Sequence, residues 1–359
     1  MKSKLLTLSS SSLSSRKHPE CHGSPEMLAG MFNSVCVDYG KMTAALLILA
    51  IHTAPFVSFS KVGNSIFICL FGRLAVPFFF AISGFFFGCK IWETAKQTER
   101  WKHLGRFTLR ILQLWGTWNL LYLLTFSVVN GKLPESLTAT AGWWLLFPGI
   151  NPILWFLPAI IVAAIYVMIF QRFGTGPLGL ASLFAFILLI ACNIGVQNIF
   201  MGVPLFAFGA ILATQKSKME CPSQRTSIVI LLICILADAF AWWAPLTGIG
   251  IHFLFTACSG GIITWLLLNT SRSFSVRHTL LAKRVLRPLS IYIFVDQAIV
   301  IILFQHYLSE FITNSFLKYL IILAGCLIIG AVGIILTTFW KNAFYLQPFR
   351  CRIHHKCKM

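Results

Sequence analysis

Residues 37–52 read VDYGKMTAALLILAIH. An acid and a base come first, an apolar run follows them, and a histidine comes last. Similar apolar runs recur along the whole chain, which is 57% hydrophobic and only 11% charged, with a mean hydropathy of +0.81. Soluble chains carry roughly a quarter charged residues. The composition therefore excludes a cytosolic enzyme, a disulfide-stapled secreted module and a disordered protein. It predicts an all-α polytopic membrane protein.

Windows of about twenty apolar residues, the length needed to cross a bilayer, give the predicted spans. Ten windows qualify: 42–60, 64–88, 107–129, 153–170, 177–194, 197–214, 226–245, 249–269, 285–307 and 317–340. With both termini in the cytoplasm, 25 of the 29 Lys and Arg residues fall in the internal segments, and three fall in the external loops. The positive-inside rule therefore places both termini inside, and it explains the net charge of +19 without a nucleic-acid partner.

The spans define the predicted domain organisation. Residues 1–36 are polar and Ser-rich, and we interpret them as a disordered tail or as the product of a start codon placed too early. Residues 37–345 form the ten-span membrane domain, and residues 346–359 form a basic cytoplasmic tail. The Cys and His residues of that tail fit no standard zinc spacing, so we predict no metal site.

Two ionisable side chains within the predicted spans are candidates for function, because a charge in the hydrocarbon core costs several kcal/mol. Counting from Lys41, His52 lies roughly 16 Å along the first span, near the bilayer midplane. Arg73 has a similar depth on the second span. A fixed cation near His52 disfavours charging of the imidazole, which leaves the ring able to accept a proton. The alternatives are a structural histidine and an Arg73 neutralised by Asp238 or Asp296.

Further charged residues lie at the cytoplasmic ends of the first and third spans. Asp38 and Lys41 precede the first apolar run, and Arg106 and Arg110 lie a turn apart at the start of the third. Guanidinium groups facing a cavity would suit the phosphates of a nucleotide-type donor. The alternative is that these residues are positive-inside anchors.

The motifs around these residues resemble the membrane acyltransferase-3 family of bacteria. Its first span carries an acid, then a base three residues later, then ten further residues before a histidine. Asp38, Lys41 and His52 have this spacing here. GRLAVPFFFAISGFFFG, residues 72–88, is similar to its second-span signature and includes Arg73 and Ser83. Weaker similarities continue to about residue 345.

The resemblance implies an enzyme that transfers an acyl group, usually acetyl, from cytoplasmic acyl-CoA to a hydroxyl of an extracytoplasmic glycan or lipid-linked sugar. His52 would act as general base or carry the acyl group, and Arg73 would stabilise the oxyanion. Lys41, Arg106 and Arg110 would bind the donor, with Asp38, Ser83 and Asp296 in support: eight residues in all. No bound cofactor is implied beyond the acyl-CoA substrate. The expected location is the bacterial cytoplasmic membrane.

A second hypothesis is that the chain is a small-solute carrier. The membrane half of serine racemases, a domain that the chain also resembles, is an example of such a carrier. Under this hypothesis, a proton relay is formed by His52, Arg73 and Asp296. Release of free CoA thiol distinguishes the two hypotheses, because only an acyltransferase produces free CoA thiol.

Overall fold

The computed structural model describes residues 34–133, 151–192, 198–214, 224–243, 249–269 and 274–345. Within these residues every regular element is helical, which confirms the predicted all-α class for the part of the chain described. The helices are α1 Ser34–Thr53, α2 Lys61–Leu70, α3 Ala75–Glu93, α4 Gln97–Asn130, α5 Phe156–Phe170, α6 Thr175–Ala191, α7 Gly202–Thr214, α8 Gln224–Trp243, α9 Ile249–Leu268, α10 Val276–Leu281, α11 Arg287–Tyr307 and α12 Ser315–Tyr345.

Six continuous helical stretches are long and apolar enough to cross a membrane, as expected of a multi-pass membrane protein. They are Ser34–Thr53, Lys61–Glu93, Gln97–Asn130, Ile153–Phe173, Val276–Tyr307 and Ser315–Phe339. Each of the ten predicted spans overlaps a described helix. The count of ten spans stays a prediction, because several of the remaining helices are shorter. The cytoplasmic location of the termini stays a prediction as well.

The first helix differs from its predicted boundaries at both ends. It begins at Ser34, so residues 34–36, assigned above to the tail, are helical. It ends at Thr53 because Ala54 takes a left-handed conformation (φ 50°) and Pro55 follows. The apolar run continues beyond this point, which is why hydropathy alone extended the span to residue 60. His52 consequently lies in the last turn of α1 rather than in the middle of a span.

The second predicted span is broken near its middle. A 3₁₀ turn, Gly72–Leu74, separates α2 from α3, and Arg73 lies within that turn. A Cβ atom at Gly72 would lie 2.9 Å from Cγ1 of Ile51, so the absence of a side chain lets the turn pack against the end of α1. The last turn of α1 and the turn that carries Arg73 are therefore in direct contact.

The closest helix contact in the described structure joins α3 to α7. Gly84 of α3 faces the backbone of Phe206, and Gly209 of α7 faces the backbone of Ala81. At Gly88, four residues after Gly84, a Cβ atom would lie 2.7 Å from Cα of Ala210, so α3 and α7 are close there too. Small residues at this spacing let two membrane helices approach until their backbones touch, which maximises dispersion contacts where water supplies no driving force. The GFFFG segment of the second-span motif thus has a packing role.

A second apolar core lies between α1, α11 and α12. It contains Ala45 and Leu49 of α1, Ile293 and Val300 of α11, and Cys326 of α12, all buried. These contacts hold the middle of α1 against two helices that come last in the chain.

Candidate active site

The N-terminal end of α1, called its inner end below because the sequence predicts it to be cytoplasmic, carries a buried ion pair. Asp38 is 1% exposed, and its two carboxylate oxygens accept hydrogen bonds from Nε and Nη2 of Arg287 at 2.9 and 2.8 Å. The pairing is bidentate, which is the strongest geometry available to a guanidinium and a carboxylate. It joins α1 to the start of α11 across 249 residues of sequence. Arg287 was not among the predicted site residues.

Lys41 lies one turn further along α1, within electrostatic reach of both Asp38 and Arg287. Its Nζ atom lies 4.7 Å from the centroid of the Phe86 ring, a cation–π contact. It makes no hydrogen bond to any residue that the structure describes. In the part of the chain that the structure describes, the inner end of α1 therefore holds two cations and one carboxylate.

His52 lies at the opposite end of α1. The residue is exposed. The ring makes no hydrogen bond within the described residues. Eleven residues correspond to three turns and about 20° of rotation, so Lys41 and His52 share a face of α1 roughly 16 Å apart. Ala45 and Leu49, which lie between them in sequence, are buried against α11 and α12.

The loop after His52 is fixed to the start of α12. The Ser315 hydroxyl accepts a hydrogen bond from the Ser58 amide at 3.0 Å, contacts the Ser58 hydroxyl at 2.7 Å and donates to the Pro55 carbonyl at 2.8 Å. The Ser315 amide donates to the Ser58 hydroxyl at 3.1 Å. Since no hydrogen bond to a described residue orients the imidazole, this network is the nearest polar anchor of the backbone that follows it.

Arg73 lies beside the same end of α1. Both Arg73 and Asp238 of α8 act electrostatically on the Cys69 thiol, so all three lie close together. This arrangement agrees with the alternative in which Asp238 neutralises Arg73. The contact between Ile51 and Gly72, the residues that precede His52 and Arg73, brings the two candidate catalytic groups to one region of the molecule.

An apolar cavity of about 590 Å³ follows another face of α1. At one end the Tyr39 hydroxyl lies 3.2 Å from Nδ1 of His278, and at the other end the cavity reaches Leu74 and Ala75, directly after Arg73. The cavity therefore connects the inner end of α1 with the region of the helix break.

The other predicted residues lie in three separate places. Arg106 and Arg110 are exposed on α4, where Arg106 contacts the Lys102 carbonyl and the His103 ring of its own helix. Ser83 is half-buried on α3, next to the close contact with α7. Asp296 is fully buried on α11, and neither of its carboxyl oxygens has a nitrogen or oxygen partner in the described structure. The Cys326 thiol is the polar group that interacts with it.

Comparison with known proteins assigns the family. A family model described as an acyltransferase domain matches residues 34–336, and the chain therefore belongs to the membrane acyltransferase-3 family. The start of this match coincides with the start of α1. The family predicted from the sequence motifs is confirmed.

Two amino-acid racemases of Enterococcus faecalis are similar to parts of the chain. One is 39% identical over 129 residues, which are 36% of this chain and 17% of the racemase. The other is 26% identical over 137 residues, which are 38% of this chain and 19% of the racemase. The alignments thus cover less than a fifth of either relative. No solved structure matches the chain.

Proposed function

We propose that this membrane acyltransferase moves an acyl group, usually acetyl, from cytoplasmic acyl-CoA to a hydroxyl of an extracytoplasmic glycan or lipid-linked saccharide, in the cytoplasmic membrane of a bacterium. The observation that supports it best is the arrangement of the described residues along α1, with two cations to one carboxylate at one end and an imidazole without a hydrogen bond at the other. Acyl-CoA has a matching asymmetry, because its phosphates lie at one end and its thioester at the end of a long arm.

The donor phosphates are assigned to Lys41, together with Arg106 and Arg110 of α4. The apolar cavity along α1 offers the thioester arm a route from the inner end of the helix towards Arg73. Asp38, Ser83 and Asp296 are assigned supporting roles. Asp38 holds Arg287, and Ser83 belongs to the segment that packs against α7.

The chemical step needs a base and an oxyanion partner. The His52 imidazole accepts the proton of the acceptor hydroxyl, whose oxygen attacks the thioester carbonyl carbon. Arg73 stabilises the negative charge on the carbonyl oxygen. The carbon–sulfur bond then breaks and CoA leaves as the thiol, taking the proton from the imidazolium. In the other form of the mechanism, the His52 nitrogen attacks the thioester and CoA leaves as the thiolate; the acyl-imidazole then acylates the hydroxyl, whose proton goes to the thiolate, and the free imidazole is restored.

The experiment compares His52→Gln with His306→Gln in membranes supplied with acetyl-CoA, with free thiol as the readout. His306 is the matched control, since it is an exposed histidine in the last turn of another spanning helix. General-base catalysis contributes about 10² to 10⁴ in rate, so thiol release should fall by at least 100-fold in His52→Gln and stay unchanged in the control. A His52→Gln rate within tenfold of wild type would contradict the mechanism.

Asp296 favours one second candidate, the small-solute carrier. A buried carboxyl without a cationic partner in the described residues is typical of proton-coupled transport. The racemase relatives are compatible with a membrane domain that serves amino-acid chemistry. A wild-type protein that moves an amino acid into proteoliposomes without releasing CoA thiol would favour the carrier and overturn the acyltransferase proposal.

A further inference from the structure

Among the residues that the structure describes, the ionic cluster at the inner end of α1 has two cations, Lys41 and Arg287, and one carboxylate, Asp38. Asp38 is buried and fully engaged by Arg287, while Lys41 has only the Phe86 ring as a close partner in the described structure. An unbalanced charge in poorly solvated surroundings is costly unless an ion of opposite sign joins it. The cluster is therefore incomplete without an anion.

Arg287 is built to bind a second oxyanion while it holds Asp38. The carboxylate uses Nε and Nη2, which leaves Nη1 without a partner in the described structure. A guanidinium presents five N–H donors in a fixed plane, so one edge can hold Asp38 while the other faces a ligand. The Arg287 side chain is 41% exposed, whereas that of Asp38 is 2% exposed, so the open edge is accessible.

The backbone before Arg287 adds an independent observation. Residues 282–286 form a π-helical turn inside the helix that runs from Val276 to Tyr307. Such turns are rare and occur frequently at functional sites, because the extra residue changes the direction in which later side chains project. Here the turn ends directly before Arg287.

We propose that Arg287 and Lys41 together form a phosphate-binding site at the inner end of α1, and that Asp38 is a positioning residue that orients Arg287. This proposal rests on the proposed function, since it assigns the site to a phosphate group of the acyl-CoA donor. It also names Arg287 as the residue that binds the phosphate together with Lys41. Arg106 and Arg110 are exposed on α4 and are not part of this site.

The test uses the purified full chain in nanodiscs of phosphatidylcholine, with acetyl-CoA as donor and a lipid-linked saccharide fraction as acceptor. Removing Arg287 alone would leave Asp38 buried and unpaired, so the informative variant is Asp38→Asn combined with Arg287→Gln, which removes both charges. Lys41→Gln is the second variant, because it leaves the ion pair intact. Arg172→Gln, which removes an exposed arginine that contacts Phe173, is the matched control.

The KM for acetyl-CoA should rise about ten- to a hundredfold in both test variants and stay unchanged in the control, because charge-assisted contacts to the phosphate are lost. Dephospho-acetyl-CoA should show whether the 3′-phosphate occupies the site, as its wild-type KM would then already be raised. A purely structural ion pair predicts that the double variant keeps the wild-type KM, which would overturn the proposal.

A lipid headgroup is the other source of phosphate. Wild-type activity that depends on added phosphatidylglycerol, combined with unchanged donor KM values in both test variants, would assign the site to lipid and overturn the donor assignment. Failure of the proposed function gives a different result, because no protein in the series, wild type included, would then release CoA thiol.

Discussion

Gly84→Ala tests whether the second-span motif holds two helices in backbone contact. A Cβ atom at this position would overlap the carbonyl oxygen of Phe206 and lie 2.7 Å from its carbonyl carbon. Carbon atoms in favourable contact are about 3.5–4.0 Å apart. The obstacle is backbone on a facing helix rather than the end of a flexible side chain, so α3 and α7 must separate by about 1 Å.

The magnitude follows from two opposing contributions. A radial gap of 0.5–1 Å loses roughly a quarter to a half of the dispersion energy of the contacts it opens, and overpacking of this kind costs about 1–3 kcal/mol. We take the upper end, because Gly88 and Gly209 on the same interface lose their contacts too. Replacing a helical glycine by alanine stabilises the helix by about 1 kcal/mol. The net loss is then about 2 kcal/mol, or roughly 4–8 °C in the thermal midpoint.

The assay is thermal unfolding of detergent-solubilised protein, followed by the fraction that remains monodisperse in size-exclusion chromatography. Gly116→Ala is the matched control, because a Cβ atom at Gly116 of α4 meets nothing within 4 Å. Its midpoint should rise by roughly 2–4 °C from helix propensity alone. If Gly84→Ala raised the midpoint as Gly116→Ala does, the close α3–α7 contact would be refuted.

Two further predictions concern the loop after His52. Ser315→Ala removes the hydroxyl that holds Ser58 and Pro55, so kcat should fall at least fivefold with an unchanged donor KM. Ser309→Ala, which removes an exposed hydroxyl that donates to the Gln305 carbonyl of the preceding helix, should change neither. An unchanged kcat in Ser315→Ala would show that the network does not position the imidazole. Ala54→Gly should raise the thermal midpoint, since a left-handed alanine costs about 1–2 kcal/mol, and a lowered midpoint would argue against the φ of 50°.

Hydropathy located the helices because each must present apolar side chains to lipid or to its neighbours, and this requirement is local. It did not locate the break at Gly72–Leu74, since a 3₁₀ turn in an apolar run has the composition of its flanking helices. The end of α1 was misplaced for the same reason, although Pro55 was a visible signal that the helix stops. The spacing of Gly84 and Gly88 was also a readable signal, typical of close helix contacts.

The missed residue, Arg287, shows where local reasoning ends. It read as one of many positive-inside anchors, because the chain has 29 basic residues and only 10 acidic ones. The useful signal was Asp38, an acid at the edge of a span that needs a cation when buried. Sequence could not choose its partner from so many candidates, because the choice depends on which helix packs against α1. Ser315 was invisible for a similar reason, since serines are common in loops.

The ties at the two ends of α1 have a consequence for how the chain is made. Asp38 is synthesised 249 residues before Arg287, and Ser58 is synthesised 257 residues before Ser315. At about 5–20 residues per second, the first helix waits roughly 12–50 s for the partners that hold it. During that time its carboxylate has no guanidinium and its following loop has no anchor. α1 is thus made early but is among the last helices to reach its final form, and a ribosome that stops before α11 releases a chain in which α1 lacks these partners.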